Sequence, residues 1–328
     1  MSSPSLNPLL QLTHDLMAKV NSIIVDRMQS EIDLIPSLAG HLVSSGGKRM
    51  RPVLTLAGAL ATGQADHRAI KLAAAVEFIH TATLLHDDVI DESGMRRGKQ
   101  TANMIWGNEA SVLVGDFLFA RAFELMVETG DIIVLGRIAS ASARITEGEI
   151  SQMLIAGKPE TAVDDYLGVI IGKTAELFAA AAETGAMVMG GDAELARIMH
   201  DYGMALGIAF QITDDALDYR GEEDAIGKSV GDDFMEGKTT LPVMIAYAAG
   251  DADEQAFWQR TIGQGEIDDG DLGRAQQLIN KHDGIEKALA EARRHAETAA
   301  SLIDGRIADN SLADGLIEAA RFAAHRAA

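Results

Sequence analysis

Asp87-Asp88-Val89-Ile90-Asp91 and Asp214-Asp215-Ala216-Leu217-Asp218 repeat one acidic spacing in two stretches that are otherwise apolar and rich in alanine. On a helix turning about 100° per residue, Asp87 and Asp91 share a face, as do Asp214 and Asp218. Each pattern follows a run apolar enough to be core, Phe78 to Leu85 and Ala205 to Phe210, so the acids end buried helices and do not lie on wet faces. Carboxylates at a helix C-terminus also oppose the macrodipole, a cost that a cation offsets. One such triplet is a weak signal, because acidic helix ends are commonly just solvated. Two triplets make oxygen-only claws for a hard divalent ion. Mg²⁺ suits them, since it keeps several waters and completes its shell with ligand phosphate. The chemistry implied is the handling of a phosphorylated small molecule on magnesium, with Asp87, Asp88, Asp91, Asp214, Asp215 and Asp218 as the candidate metal residues.

Cations lie where such a ligand needs them. Gly46-Gly47-Lys48-Arg49-Met50-Arg51-Pro52 reads as a glycine turn, a basic cluster and a helix opened by proline, so free N–H groups with Lys48 and Arg51 form a phosphate seat. Arg96-Arg97-Gly98-Lys99 begins five residues after Asp91. Lys173 sits in an apolar helical stretch, where an unpaired ammonium is costly and an anionic partner is required. Gly172-Lys173-Thr174 and Gly237-Lys238-Thr239 are not phosphate-binding P-loops, because the remainder of that motif is missing. Lys228 and Lys238 belong to a polar segment with the composition of a lid, and a solvated loop lysine is the competing reading. Gln211 is open between an amide near phosphate and a helix-packing residue. For His80 and His86, a core or hydrogen-bonded role outweighs metal ligation, because no His-x-x-x-His spacing accompanies them.

The elements that must carry these residues are helices. Apolar residues recur at i, i+3 and i+4 almost throughout, and β-branched alternation is scarce. Helices are therefore expected over about 5–30, 35–44, 52–62, 67–92, 102–127, 131–156, 164–190, 193–219, 240–249, 252–264, 269–306 with a break near Asp283-Gly284, and 310–325, with no strand. The segment Gly221 to Gly237 is the least helical. No linker or composition shift divides the 328 residues, so a single all-α domain spanning 1–328 is expected. The paired acidic triplets hint at two similar halves, but no fixed-period repeat extends beyond them.

Composition narrows the class further. With 28 Lys and Arg against 49 Asp and Glu, the net charge of −21 repels nucleic acid and anionic membranes. There are no cysteines, hence neither disulfides nor thiolate metal sites. Asn7 to Leu12 is too short an apolar run for a secretory signal, and no stretch reaches the roughly 18 uninterrupted apolar residues of a membrane span. A cytoplasmic location is the expectation.

The motifs GGKRMRP, LLHDDVIDESGMRRG, GKTAELF, FQITDDALDY and GDDFMEGKTTLP occur in the order found in the trans-isoprenyl diphosphate synthases, or polyprenyl synthetases, and the chain resembles that family over about 40–245. The resemblance implies an all-helical fold with a deep central cavity, usually as a homodimer, with three Mg²⁺ ions, an allylic diphosphate and isopentenyl diphosphate. Carried over to this sequence, it implies that Asp87, Asp91 and Asp214 are the principal metal ligands, supported by Asp88, Asp215 and Asp218. Arg96, Lys173, Thr174, Gln211, Lys228 and Lys238 would contact the allylic diphosphate, and Lys48, Arg51, His80 and Arg97 the isopentenyl diphosphate. The basic C-terminal tail of some members is not evident, Arg321 and Arg326 being poor substitutes.

In the family, a bulky aromatic four or five residues before the first aspartate ends product growth early. Thr83 and Ala82 occupy those positions here, and Ala75 and Val76, deeper along the helix, are also modest in size. A helical turn rises about 5.4 Å, close to one isoprene unit, and the upper tunnel reads as open. The overall pattern resembles the bacterial octaprenyl and decaprenyl synthases that supply quinone side chains, and that resemblance implies a product of about eight to ten units. Met126 and Ile138 are candidates for the tunnel floor, with a plain core role as the competing reading. A shorter-chain synthase, a non-catalytic regulatory subunit and a terpene cyclase stay open as alternatives, although the repeated acidic triplet argues against the last.

Overall fold

The computed structural model describes residues 4–44, 48–96, 98–220 and 231–325. The chain begins with α1 (Asn7–Arg27), α2 (Leu34–Ser44), α3 (Met50–Leu60) and α4 (His67–Ile90). A minimal antiparallel hairpin follows, β1 (Met95–Arg96) and β2 (Lys99–Gln100), with Met95 opposite Gln100 and Arg96 opposite Lys99. Next come α5 (Ala102–Trp106), α6 (Asn108–Val127), α7 (Ile132–Ile155) and α8 (Val163–Ile170), the last passing through a π turn (Ile171–Ala175) into α9 (Glu176–Val188). α10 (Ala193–Leu217) precedes α11 (Asp232–Met235), α12 (Leu241–Ala249), α13 (Ala252–Trp258) with a second π turn (Gln259–Gly263), α14 (Asp271–Lys281), α15 (Gly284–Ile303) and α16 (Asn310–His325).

The helical reading holds, with local corrections. The helix expected over 102–127 is two, because Gly107 takes φ 87°, which breaks any continuous helix. The hairpin is a strand pair too short for an alternating pattern to reveal. Side-chain caps start the helices that matter for the site. Asp66 accepts from Arg68 N at 2.8 Å ahead of α4, Asp131 from Ile133 N at 2.9 Å ahead of α7, and Asp192 from Leu195 N at 2.8 Å ahead of α10.

α9 is a buried axis, with every side chain from Leu177 to Ala182 out of solvent and α3, α7 and α10 packed around it. Small residues set the spacing. A Cβ on Gly58 would stand 2.1 Å from Ala182 O, and one on Gly185 would stand 2.0 Å from Thr55 O, so α3 and α9 meet backbone to backbone. α10 links two apolar clusters. Leu206 belongs to the cluster shared with α1, α3, α4, α6, α7 and α9, and Ile208 to the one shared with α8 and α12 to α15. Among the described residues, no helix is long and apolar enough to cross a membrane.

Candidate active site

α4 and α10 carry the acidic triplets at their C-terminal ends, and both ends open into one cavity of about 540 Å³. Asp87 and Asp91 line it from α4, Asp214, Asp215 and Asp218 from α10, and Asp233 from α11. Lys48, Arg51, His80, Arg96, Lys173 and Lys238 stand in the same wall. Residues far apart in the sequence, from Lys48 to Lys238, thus face one space, with acids and cations interleaved.

The end of α4 is tied to the hairpin. Asp88 is fully buried and points away from the cavity, where Arg96 donates to its Oδ1 through Nε at 2.8 Å and Nη2 at 2.7 Å. The Asp88 carbonyl accepts from Ser93 N and Asn103 Nδ2, each at 3.0 Å. These bonds tie helix end and hairpin together, and Asp88 holds a cation at the cavity wall. His86 faces α6: a Cβ on Gly115 would lie 2.3 Å from its Nε2, which is 3.2 Å from Val112 O. It is a packed histidine, as the sequence favoured.

At the end of α10 a hydrogen-bonded chain runs across three elements. Thr174 Oγ1 donates to Gln211 Oε1 at 2.8 Å, Gln211 Nε2 donates to Asp215 Oδ1 at 2.8 Å, and the Tyr166 hydroxyl of α8 donates to Asp215 Oδ2 at 2.6 Å. Asp233 N donates to Asp218 Oδ2 at 3.1 Å, which fixes α11 against the triplet. Gln211 therefore both packs the helices and faces the cavity.

Lys173 has its anion within the protein. Its Nζ donates to Glu149 Oε2 at 2.8 Å and Gln152 Oε1 at 2.6 Å, both on α7. The approach requires glycine, because a Cβ on Gly148 would fall 2.3 Å from Lys173 N. Lys238 reaches back to Asp91 Oδ2 at 3.2 Å and pairs with Glu236, with Asp233 at 3.9 Å. Burial would lower its pKa, but Asp233, Asp91 and Glu236 together raise it above the ordinary lysine value, so the ammonium stays charged between the two acidic ends.

The acids show the strain of their setting. Burial pushes Asp87 up to about 7 against the opposing pull of Lys173, with Glu149 and Asp91 adding to the rise. Burial also pushes Asp215 up to about 7, aided by Asp233 and opposed by the Tyr166 and Gln211 hydrogen bonds. Keeping these groups ionised at neutral pH costs the fold free energy that a cation in the cavity offsets. The donor set is oxygen-only and fits a hard divalent ion. Among the described residues, no three acidic or histidine side chains converge into a ready-made cage. That arrangement suits Mg²⁺, which binds through one or two carboxylates, water and phosphate.

The cavity gathers most of the expected residues. Lys48 Nζ lies 4.3 Å from the Phe322 ring centre, and the Arg51 guanidinium carbon lies 4.5 Å from that of Phe178. Thr83 is on the cavity wall, whereas Ala82, Met126 and Ile138 are buried core residues away from it. Burial of Met126 and Ile138 suits a core role and a tunnel floor alike. Arg97, Lys228 and Arg326 lie outside the described residues, as does 221–230 of the expected lid. Arg321 is engaged with Glu297 at 3.0 Å. Sequence reasoning missed Glu149, Gln152, Tyr166 and Asp233. Only Glu149 had a signal, the need of Lys173 for an anion.

Fold and site together define a helical isoprenoid synthase. The polyprenyl synthetase family pattern matches residues 32–279, and the chain belongs to that family, which makes it a prenyltransferase. The octaprenyl diphosphate synthase of Haemophilus influenzae is 40% identical over 300 residues, covering 92% of this chain and 91% of its own. A crystal structure of a polyprenyl synthase from Caulobacter crescentus, complexed with calcium and isoprenyl diphosphate, superposes with a TM-score of 0.97 at 48% identity and full coverage of both chains. A decaprenyl diphosphate synthase from Rhodobacter capsulatus gives 0.93 at 47% identity, covering 99% of this chain and 100% of the other.

Proposed function

We propose that this chain, as one domain, condenses isopentenyl diphosphate head to tail onto an allylic diphosphate such as farnesyl diphosphate, making all-trans products in the octaprenyl to decaprenyl range for quinone side chains. The observation that carries the reading is the meeting of both acidic helix ends and six Lys and Arg side chains on one cavity wall. The relatives' long-chain names support the product class. Exposed apolar side chains on α6 and α7, among them Leu113, Val127, Ile132 and Ile133, support a homodimer.

Asp87, Asp91 and Asp214 would hold Mg²⁺, three ions by the family pattern, with Asp218 and Asp215 in support. When bound, Mg²⁺ supplies positive charge to the oxygens of the allylic diphosphate. Lys173, Lys238 and Arg96 add fixed positive charge where the leaving diphosphate gains its own as the allylic C–O bond breaks. Thr174 and Gln211 orient that group. Lys48, Arg51 and His80 seat the isopentenyl diphosphate so that its double bond faces the allylic carbon. The new C–C bond forms as the double bond attacks the allylic carbon, and the departing diphosphate takes the proton that is lost. Loss of one preorganised cationic contact costs about 3 kcal/mol, or roughly two orders of magnitude in rate.

The test incubates purified protein with Mg²⁺, farnesyl diphosphate and labelled isopentenyl diphosphate and resolves products by carbon number. A ladder ending in the octaprenyl to decaprenyl range is expected. Asp87→Ala should abolish turnover with an unchanged helical circular dichroism spectrum, and normal turnover in that variant would overturn the metal assignment.

A further inference from the structure

Arg49 is the member of the basic cluster that the mechanism leaves without a task. It occupies the N-cap of α3 with φ 44° and ψ 44°, one of three non-glycine residues at positive φ among those described. A residue with a Cβ resists that left-handed conformation, and glycine does not. Its side chain makes no capping hydrogen bond, yet it stands in the cavity wall with Lys48 and Arg51. Among the described residues, Arg49 Nη1 is buried with no hydrogen-bond partner, a donor withdrawn from water and given nothing in return. Two unfavourable features therefore converge on one side chain, and glycine would remove both. Packing does not account for the arginine, whereas an anion in the cavity satisfies the guanidinium.

We propose that Arg49 is a further substrate-binding residue, donating to the diphosphate of the acceptor substrate beside Lys48 and Arg51, an assignment that rests on the isopentenyl diphosphate reading of those two residues. The left-handed turn supplies the aim. A helical φ and ψ at this position would send the side chain off in another direction, and positions two apart on a helix do not share a face. With the turn, Arg49 and Arg51 both stand in the one wall. The contact belongs to the acceptor and not to the allylic substrate, because it issues from the start of α3, whereas Lys173, Lys238 and Arg96 serve the acidic helix ends.

Arg49→Gln, Arg49→Lys and Arg49→Gly are compared with wild type for apparent KM of isopentenyl diphosphate at saturating farnesyl diphosphate, the reverse, and Tm. Loss of a charge-assisted contact should raise the isopentenyl KM about tenfold or more in Arg49→Gln while the farnesyl KM stays within about twofold, with partial recovery in Arg49→Lys. Arg49→Gly should match the glutamine variant in KM yet melt no lower than wild type, since it relieves the strained turn. An unchanged isopentenyl KM, a parallel rise in both KM values, or a rise that merely tracks a falling Tm would each overturn the assignment. A wild type that incorporates no isopentenyl diphosphate would overturn the functional reading and this inference with it, while an active wild type with an unaffected Arg49→Gln would overturn this inference alone.

Discussion

Gly136 and Gly148 sit on the same helix, α7, and the same substitution should move the protein in opposite directions at the two positions. At Gly136 an added Cβ meets nothing within 4 Å, so Gly136→Ala gains helix propensity, about 1 kcal/mol in stability. At Gly148 the added Cβ would stand 2.3 Å from Lys173 N and 2.7 Å from Gly172 C. Against an ordinary 3.4 Å contact the shortfall is about 1.1 Å, and both obstacles are backbone, which cannot rotate aside. Overpacking of this kind costs about 1–3 kcal/mol, and the upper end applies here. After the propensity gain, a net loss of about 2 kcal/mol remains. At about 2 °C per kcal/mol for a chain of this size, Gly148→Ala should melt about 4 °C below wild type and Gly136→Ala about 2 °C above it. The same displacement carries the Lys173 ammonium off its site by about 1 Å, enough to cost about two orders of magnitude in kcat. Differential scanning calorimetry and steady-state incorporation of labelled isopentenyl diphosphate read the two effects. A Gly148→Ala protein as stable and as active as wild type would refute the claim that glycine contact between α7 and the π turn positions Lys173.

Thr83→Tyr places a ring on the cavity wall where chain growth is assigned and should shorten the product by at least one isoprene unit; an unchanged carbon number would mean that growth does not pass this residue. Glu254 accepts hydrogen bonds from Lys281 and Asp251 N, with His282 Nε2 at 2.8 Å, and the Lys281 bond leads in holding its carboxyl at about 2. A pKa below the unfolded value adds stability at neutral pH that is lost as pH falls through the folded pKa. Glu254→Gln should therefore melt below wild type at pH 7, with the gap closing as pH drops from about 4.5 towards 2; a gap independent of pH would assign the loss to the capping box instead.

What the sequence disclosed and what it withheld divide along chain separation. The shared faces of Asp87 with Asp91 and of Asp214 with Asp218 follow from helix geometry over four residues, so spacing alone predicts them. The helix starts at Asp66, Asp131 and Asp192 are equally local. Lys173 in an apolar helix announces a missing anion, but Glu149 is 24 residues away on a helix whose approach depends on a glycine contact, and no local pattern encodes that. Tyr166 reaches Asp215 across 49 residues and looked like any aromatic core residue. The break at Gly107 was hidden because the apolar period continues across it, and only the backbone angle reveals the change of direction. Asp88 was grouped with its neighbours because three adjacent acids look equivalent until the hairpin brings Arg96 behind one of them.

That last contact matters to anyone who would transplant the chemistry. In both triplets the acid immediately after the first is held by protein groups: Asp88 clamps the hairpin guanidinium, and Asp215, at the cavity edge, is clasped by Tyr166 and Gln211. The pattern is thus two tools and a bracket, and the bracket is anchored in segments far outside the five-residue motif. A bare DDxxD grafted onto the end of a foreign helix would bring the tools without the mounting. Its middle carboxylate would be buried without a counter-charge or left to swing in solvent, and the outer pair would lose the fixed bearing that makes two acids a turn apart act on one ion. The smallest portable unit is therefore helix end, hairpin and bracing helix together.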